Sequence, residues 1–391
     1  MSLRRRSGQR HLGGAMAEAR VKGWCPGVWR PMASGDGLLV RVRPAFGALN
    51  KDKLLALCTA ARRWGSGMIE LTNRGNIQLR GVAEDGWPGL MAELERAGLV
   101  DKTPEQEARR NIMVAPDWQP GDRTEQITSL LLDRLEDLPE LPAKMGFAID
   151  AGERPILVDE SADFRVECTA DGQLLVRADG RTRGTPVDSP EAAVDLLIGL
   201  AHWFVDSGGL QAGRMRSHQL PLPGWVPEQA ESAVPRLPLA LGAHQSGAVY
   251  GLCFGQAEAR ILENAVAASN VSGIRVTPWR RFLVLGASGA PVNGLLSDNQ
   301  APELSIDACP GSPHCEQATV QTRNLARTLA GSVAGRLHVS GCSKGCARRQ
   351  PTETCVVGDK GRYSLVFHGR ADGTPDVSGL TASQLCDYFG V

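Results

Sequence analysis

A strand–helix–strand pattern that occurs twice constrains the fold of this chain more than any other feature. In the first copy GLLVRVRP, residues 37–44, has the alternation of a half-buried strand and leads to Phe46-Gly47. An apolar stripe at helical spacing then runs through Asn50 and KDKLLALCTAARR, and after Gly65 a second strand, MIELTNRGNIQLRGV, carries Thr72 at its crest. Residues 247–286 repeat the order: GAVYGLCFG with Phe254-Gly255, the helical QAEARILENAVAAS, Gly273, then IRVTPWRRFLVLG with Thr277. Each unit is too small to bury a core of its own, so the two are expected to pair, joined in one sheet.

Between the copies, KMGFAID and QLLVRAD read as strands, and PEAAVDLLIGLAHWFVDSG as a helix stopped at Gly208-Gly209. The proline-rich PLPGWVPEQAESAVPRLPLA reads as a linker, and Gln317–Ala330 as a helix. The organisation expected is a disordered tail over 1–22, half-domain one over 23–105, an α/β domain over 106–235, half-domain two over 236–290 and a cysteine-rich α/β domain over 291–391.

Composition excludes several classes. The 391 residues are 42% apolar and 22% charged, those of a globular protein. Lys+Arg and Asp+Glu balance at 43 each, so there is no basic excess for a nucleic-acid partner. No run approaches the ~18 continuous apolar residues of a membrane helix. The opening MSLRRRSGQRHLGGAMAEAR lacks the apolar centre of a secretory signal; it reads as a tail, or as a start placed upstream of Met16. Ten cysteines without such a signal point to a reducing, cytoplasmic setting.

Six cysteines (Cys25, Cys58, Cys168, Cys253, Cys355 and Cys386) are scattered and read as small buried hydrophobes. The other four form ACPGSPHC and GCSKGC, placing Cys309, Cys315, Cys342 and Cys346 as C-x5-C and C-x3-C. Structural zinc favours tight C-x2-C knuckles, whereas wider gaps suit a [4Fe–4S] cube, each iron taking one thiolate. The spacing favours the cluster and leaves zinc open.

The cysteine pattern followed by Ala-Arg, together with the paired half-domains, resembles the sulfite and nitrite reductase superfamily. The resemblance covers residues 23–380 and implies an α+β fold: two ferredoxin-like half-domains forming one pseudo-symmetric domain, plus two α/β domains. Within it, Cys25-Pro-Gly, RPMASGDGLLVRVRP, LTNRGNIQLRG, KMGFAID and HVSGCSKGCA are similar to the precorrin-3B synthases. That branch implies an oxidoreductase, a monooxygenase of aerobic cobalamin biosynthesis acting on precorrin-3A with O2. It also implies a [4Fe–4S] cluster, a mononuclear non-haem iron and an external electron donor, NADH-linked or of ferredoxin type. No G-x-G-x-x-G opens a strand–helix unit, so no built-in nicotinamide domain is expected.

In the reductases a Thr-x-Arg crest and a following Arg-Asn pair bind siroheme carboxylates and the anion. The resemblance places Thr72-Asn-Arg74 and Arg110-Asn111 there, with Arg110 and Lys144 in catalytic roles; Arg80, Arg214, Arg216, Arg280 and Arg281, on neighbouring strand or loop segments, are expected to extend a basic cleft. A planar guanidinium holds a carboxylate bidentately and stays charged, which suits a polycarboxylate macrocycle. The reductases carry two lysines in a Pro-x-Lys-x-Lys strand; here it reads Pro142-Ala-Lys144-Met-Gly146. Losing the second lysine argues against a siroheme-dependent sulfite or nitrite reductase, the alternative reading, and the glycine is expected to make room for a bulkier substrate. A third class is a non-enzymatic electron carrier or zinc-stabilised binding protein. The histidines show no H-x-D/E…H spacing, and His314, His338 and His368 read as hydrogen-bonding or structural residues.

Overall fold

Asn50 starts the first long helix by accepting a hydrogen bond from Lys53 N (2.9 Å), with Asp52 in the first turn and Arg62 and Arg63 in the last. This is the helix Lys51–Trp64 of a computed structural model that describes residues 24–391. The tail expected over 1–22 lies outside the described residues. The chain divides into two units, one ending at Asn299 and the other running from Gln300 to Val391.

In the first unit the half-domains form two five-stranded antiparallel sheets rather than the single sheet expected. One orders the strands Met32–Ser34, Gly37–Val42, Ile77–Val82, Met68–Leu71 and Gln256–Glu258. The other orders Gly242–His244, Gly247–Gly251, Arg281–Leu285, Gly273–Val276 and Ala48–Asn50. The last strand of each comes from the other half: Ala257 pairs with Ile69, and Leu49 with Ile274. A single core holds Leu54, Leu57, Ile69 and Leu79 together with Ala257, Leu262, Ile274 and Phe282. The halves complete each other's sheets because neither has apolar surface enough to stand alone.

Each expected second strand is a hairpin. Leu71 pairs with Ile77 across the loop 72–76, and Val276 pairs with Phe282 across the loop that starts at Thr277. Thr72 N donates to Asn76 O (2.9 Å) and Thr277 N to Arg281 O (3.1 Å), so the crest of each strand is a turn.

The same unit contains a six-stranded mixed sheet with Ile112–Val114, Phe147–Ile149 and Phe164–Cys168 parallel at one side. The helices Arg123–Asp133 and Pro190–Asp206 pack on it through Ile127, Leu131, Leu197 and Phe204. Ser189 caps the longer helix by accepting from Ala192 N (3.1 Å), and Gly208 at φ 86° ends it, as the sequence predicts.

The second unit is a five-stranded sheet, Ile306–Ala308, Leu337–Ser340, Thr352–Asp359, Arg362–Gly369 and Val377–Leu380, whose first three strands are parallel. The helix expected over Gln317–Ala330 is confined to Arg323–Thr328. The preceding backbone is committed elsewhere, with Ala318 N donating to Cys315 O (3.0 Å) and Thr319 N to Gly341 O (3.0 Å). Among the described residues no helix is long and apolar enough to cross a membrane.

Candidate functional site

The polar face of the first half-domain sheet gathers arginines. Arg41 leaves the strand Gly37–Val42 and donates to Gln78 Oε1 (Nε, 3.0 Å), and Gln78 in turn donates to Glu70 Oε2 (3.1 Å). Arg43 donates to the carbonyl of Glu107, and Arg74 on the first crest loop donates to Ser161 Oγ (3.3 Å). Arg214 reaches the same Ser161 Oγ (3.2 Å) while pairing with Asp163 (2.8 Å). Arg41, Arg43 and Arg74 are cations that form no ion pair with a carboxylate among the described residues.

Burial is the main cause that lowers the pKa of all three. Arg41 falls to about 10, with the charges of Arg43 and Arg74 pressing the same way and Cys25 and Glu70 opposing. Arg43 is lowered further by Arg110, and Arg74 by Arg214 and Arg43. Desolvated, crowded guanidiniums are costly alone and favourable once a carboxylate binds between them. Cys25, read from sequence as a packing thiol, stands beside all three, its loop held where Glu107 accepts from Val28 N (2.7 Å) and Arg41 N donates to Gly27 O (3.2 Å).

Several residues expected in the cleft are already engaged. Arg80 is buried and bound by Asp36 (3.0 Å), Ser34 (2.7 Å) and Glu70 (3.8 Å). Arg110 holds Asp101 bidentately, 2.7 Å at each oxygen, and donates to Arg43 O (2.6 Å). Asn111 donates its side-chain amide to Met145 O. Arg216 pairs with Asp179 (2.8 Å), and Arg281 donates to Leu239 O. Arg280, on the second crest loop, takes a left-handed φ of 59°.

Lys144 is exposed on a turn, not a strand; Met145 N donates to Pro142 O (2.8 Å), and the strand begins only at Phe147. Gly146 corrects the sequence reading more directly. A Cβ there would lie 2.5 Å from Asn111 O and 2.7 Å from its side-chain nitrogen. The glycine lets two backbone segments approach each other; it opens no room for a ligand.

In the other unit, Cys309 follows the strand Ile306–Ala308, and Cys342 follows its parallel neighbour Leu337–Ser340. Gly341 N donates to Cys309 Sγ (3.2 Å), and Ser340 Oγ donates to Cys342 O (2.7 Å). Burial raises the Cys342 thiol, opposed by Lys344 and reinforced by Cys309 and Cys315. Cys346 reaches solvent, yet its packed surroundings push its thiol up to about 11, with Cys309, Cys342 and Cys315 acting in the same direction and Lys344 against them. All four sulfurs are thus within electrostatic reach, and ionising them together requires a multiply charged centre to offset their repulsion. No three His, Cys, Asp or Glu side chains among the described residues close on a single ion. His338 is buried with Nδ1 3.4 Å from Cys355 Sγ.

Residues 30–97 match the family model of the nitrite/sulfite reductase ferredoxin-like half domain. A precorrin-3B synthase of Sinorhizobium sp is 34% identical, the alignment covering 93% of this chain and 86% of that protein. The chain belongs to the precorrin-3B synthase family. It is accordingly an enzyme. A ferredoxin–nitrite reductase of Synechococcus elongatus is 24% identical over 88% of this chain and 80% of its own. The NirA protein of Mycobacterium tuberculosis shares the fold, with a TM-score of 0.57 at 18% identity over 90% of this chain and 79% of that one. Arg41 and Arg43 are the members of the arginine cluster that the sequence motifs did not single out. Their signal was RVRP itself, where alternate residues of a strand put both arginines on one face.

Proposed function

We propose that the protein is a precorrin-3B synthase, an O2-dependent monooxygenase of aerobic cobalamin biosynthesis. It hydroxylates precorrin-3A at C20, and a ring-A acetate closes to a γ-lactone. Two electrons and two protons accompany O2; one oxygen atom enters the substrate and the other leaves as water. The observation that carries this reading is the set of Arg41, Arg43 and Arg74, half-buried cations that pair with no carboxylate among the described residues, suited to a substrate rimmed with carboxylates. Arg214, fixed by Asp163, directs Ser161 towards Arg74 and keeps that guanidinium in place.

Cys309, Cys315, Cys342 and Cys346 would hold a [4Fe–4S] cluster. Bound there, it supplies single electrons drawn from a separate donor protein. The donor set fits the group: four thiols, two adjacent parallel strand ends and a backbone N–H aimed at one sulfur.

The test is anaerobic purification, iron and sulfide analysis, then precorrin-3A with reductant and O2, followed by mass spectrometry. A product carrying one added oxygen supports the reading. Extractable siroheme with nitrite or sulfite reduction, and no oxygenated product, sinks it. Cys→Ala at 309, 315, 342 or 346 should abolish the cluster absorption, and a variant that keeps it removes that cysteine from the ligand set.

A further inference from the structure

The two crest loops are built alike and differ in chemistry. Thr72 Oγ1 accepts from Arg74 N (3.3 Å) and Asn76 N (3.1 Å), with Gly75 at φ 66°. Thr277 Oγ1 accepts from Trp279 N (3.2 Å) and donates to Arg281 O (2.8 Å), with Arg280 at φ 59° in the equivalent place. The registers match residue for residue, so Trp279 occupies in the second loop the position that Arg74 holds in the first. Arg280 adopts a backbone conformation that L side chains rarely take, where the first loop uses glycine. Such a residue persists only where its surroundings hold it, and functional loops are where these cluster.

Trp279 is half-buried, and its indole N–H donates to Glu160 Oε1 (2.7 Å). The next residue, Ser161, accepts from Arg74 and Arg214. One segment therefore tethers the indole and the guanidinium at consecutive positions. Glu160 is itself anchored: Arg165, a buried cation, donates to its carbonyl, and burial raises its carboxyl pKa while the bond from Trp279 opposes the rise. A ring fixed at its N–H edge, beside cations, suits a ligand that is flat, conjugated and anionic at its rim.

We propose that Trp279 is a substrate-contacting residue whose ring stacks on the tetrapyrrole plane while Arg41, Arg43 and Arg74 hold its carboxylates, with Glu160 positioning the indole. This rests on the macrocycle reading above. The probe is uroporphyrin, a stable polycarboxylate tetrapyrrole, titrated into the purified protein and followed by its visible absorption. Trp279→Leu should weaken binding about tenfold and Trp279→Phe by no more than about threefold, the difference between an aliphatic and an aromatic face. Glu160→Gln, which keeps an acceptor, should bind like the wild type, and Glu160→Leu like Trp279→Leu. The shift of the porphyrin's visible absorption on stacking should be lost in Trp279→Leu and kept in Trp279→Phe, a change that a purely structural role would not produce.

Wild-type affinity in Trp279→Leu, alongside weakened binding in Arg74→Ala, overturns this inference and leaves the macrocycle reading standing. Wild-type affinity in Glu160→Leu overturns the positioning role of Glu160. Failure of the wild type itself to bind overturns the macrocycle reading and this inference with it.

Discussion

Replacing Gly146 by alanine tests whether that position holds space or contact. The added Cβ would sit 2.5 Å from Asn111 O, 2.7 Å from its side-chain nitrogen and 2.9 Å from Cγ. Gly146 is also tied on both sides, its N–H donating to Asp163 Oδ2 (3.1 Å) and its carbonyl accepting from Asp163 N (2.7 Å). It has no positive φ, so an alanine meets only steric opposition. Overpacking of this kind costs about 1–3 kcal/mol. With free space, the same change would stabilise by about 0.4–1 kcal/mol through the unfolded chain. The two readings therefore differ in sign. Urea unfolding followed by near-ultraviolet circular dichroism measures it, and a loss of about 2 kcal/mol lowers Tm by roughly 4–8 °C at this domain size. Asn111→Ala in the same chain removes the side-chain overlaps but not the carbonyl, so the double variant should recover only part of the loss. A Gly146→Ala protein as stable as wild type, or more so, would refute the reasoning and restore the idea of an open pocket there.

Arg41→Met should weaken uroporphyrin binding by about 1.5–3 kcal/mol, the worth of a hydrogen bond to a charged group, with little loss of stability because no carboxylate is orphaned. Arg110→Met should do the reverse, costing about 3 kcal/mol of stability by stranding Asp101; the opposite ordering in paired titration and unfolding measurements would exchange their roles. Asp150 is raised from 3.8 to about 6, chiefly by burial and then by Asp117 and Glu167, against hydrogen bonds from Leu157 N and Ile156 N. Its folded pKa exceeds the unfolded one, so its contribution is present below pH 3.8 and is lost as pH rises through about 6. Asp150→Asn should thus gain up to ~3 kcal/mol on wild type between pH 4 and pH 7, and a difference in unfolding free energy that ignores pH would refute the assignment. Leu49→Ala, on an exchanged strand, should cost about 2–5 kcal/mol and lower both half-domain sheets in one transition; separate transitions for the two would count against the shared core.

Much of this was legible in the sequence. The repeat announced the paired half-domains because alternation and helical stripes are local signals. The stop at Gly208 and the cysteine spacings were readable for the same reason. The exchange of strands was not, since Ala48–Asn50 and Gln256–Glu258 are three-residue segments whose partners lie in the other copy. The hairpins were missed because MIELTNRGNIQLRGV has no strong breaker except Gly75, and its turn is made by a threonine hydroxyl. Among the arginines, motif position pointed to Arg74 and Arg110, and Arg214 was named only from its neighbouring segment; Arg74 and Arg214 meet at Ser161. The sequence could not tell that Arg80 and Arg110 already have carboxylates, because Asp36 and Asp101 become their neighbours only in the folded chain. The role of Gly146 was invisible for the same reason: the atom it makes way for belongs to Asn111, just before the neighbouring strand Ile112–Val114.

The exchanged edges separate geometry from chemistry. The strand that leads into each crest loop is paired along its outer edge by main-chain hydrogen bonds from the opposite half, and those bonds ignore side-chain identity. Arg74 and Trp279 therefore stand at matched stations of a scaffold that neither of them maintains. On the proposed reading, duplication followed by divergence gives these two stations unlike jaws, one cationic and one aromatic.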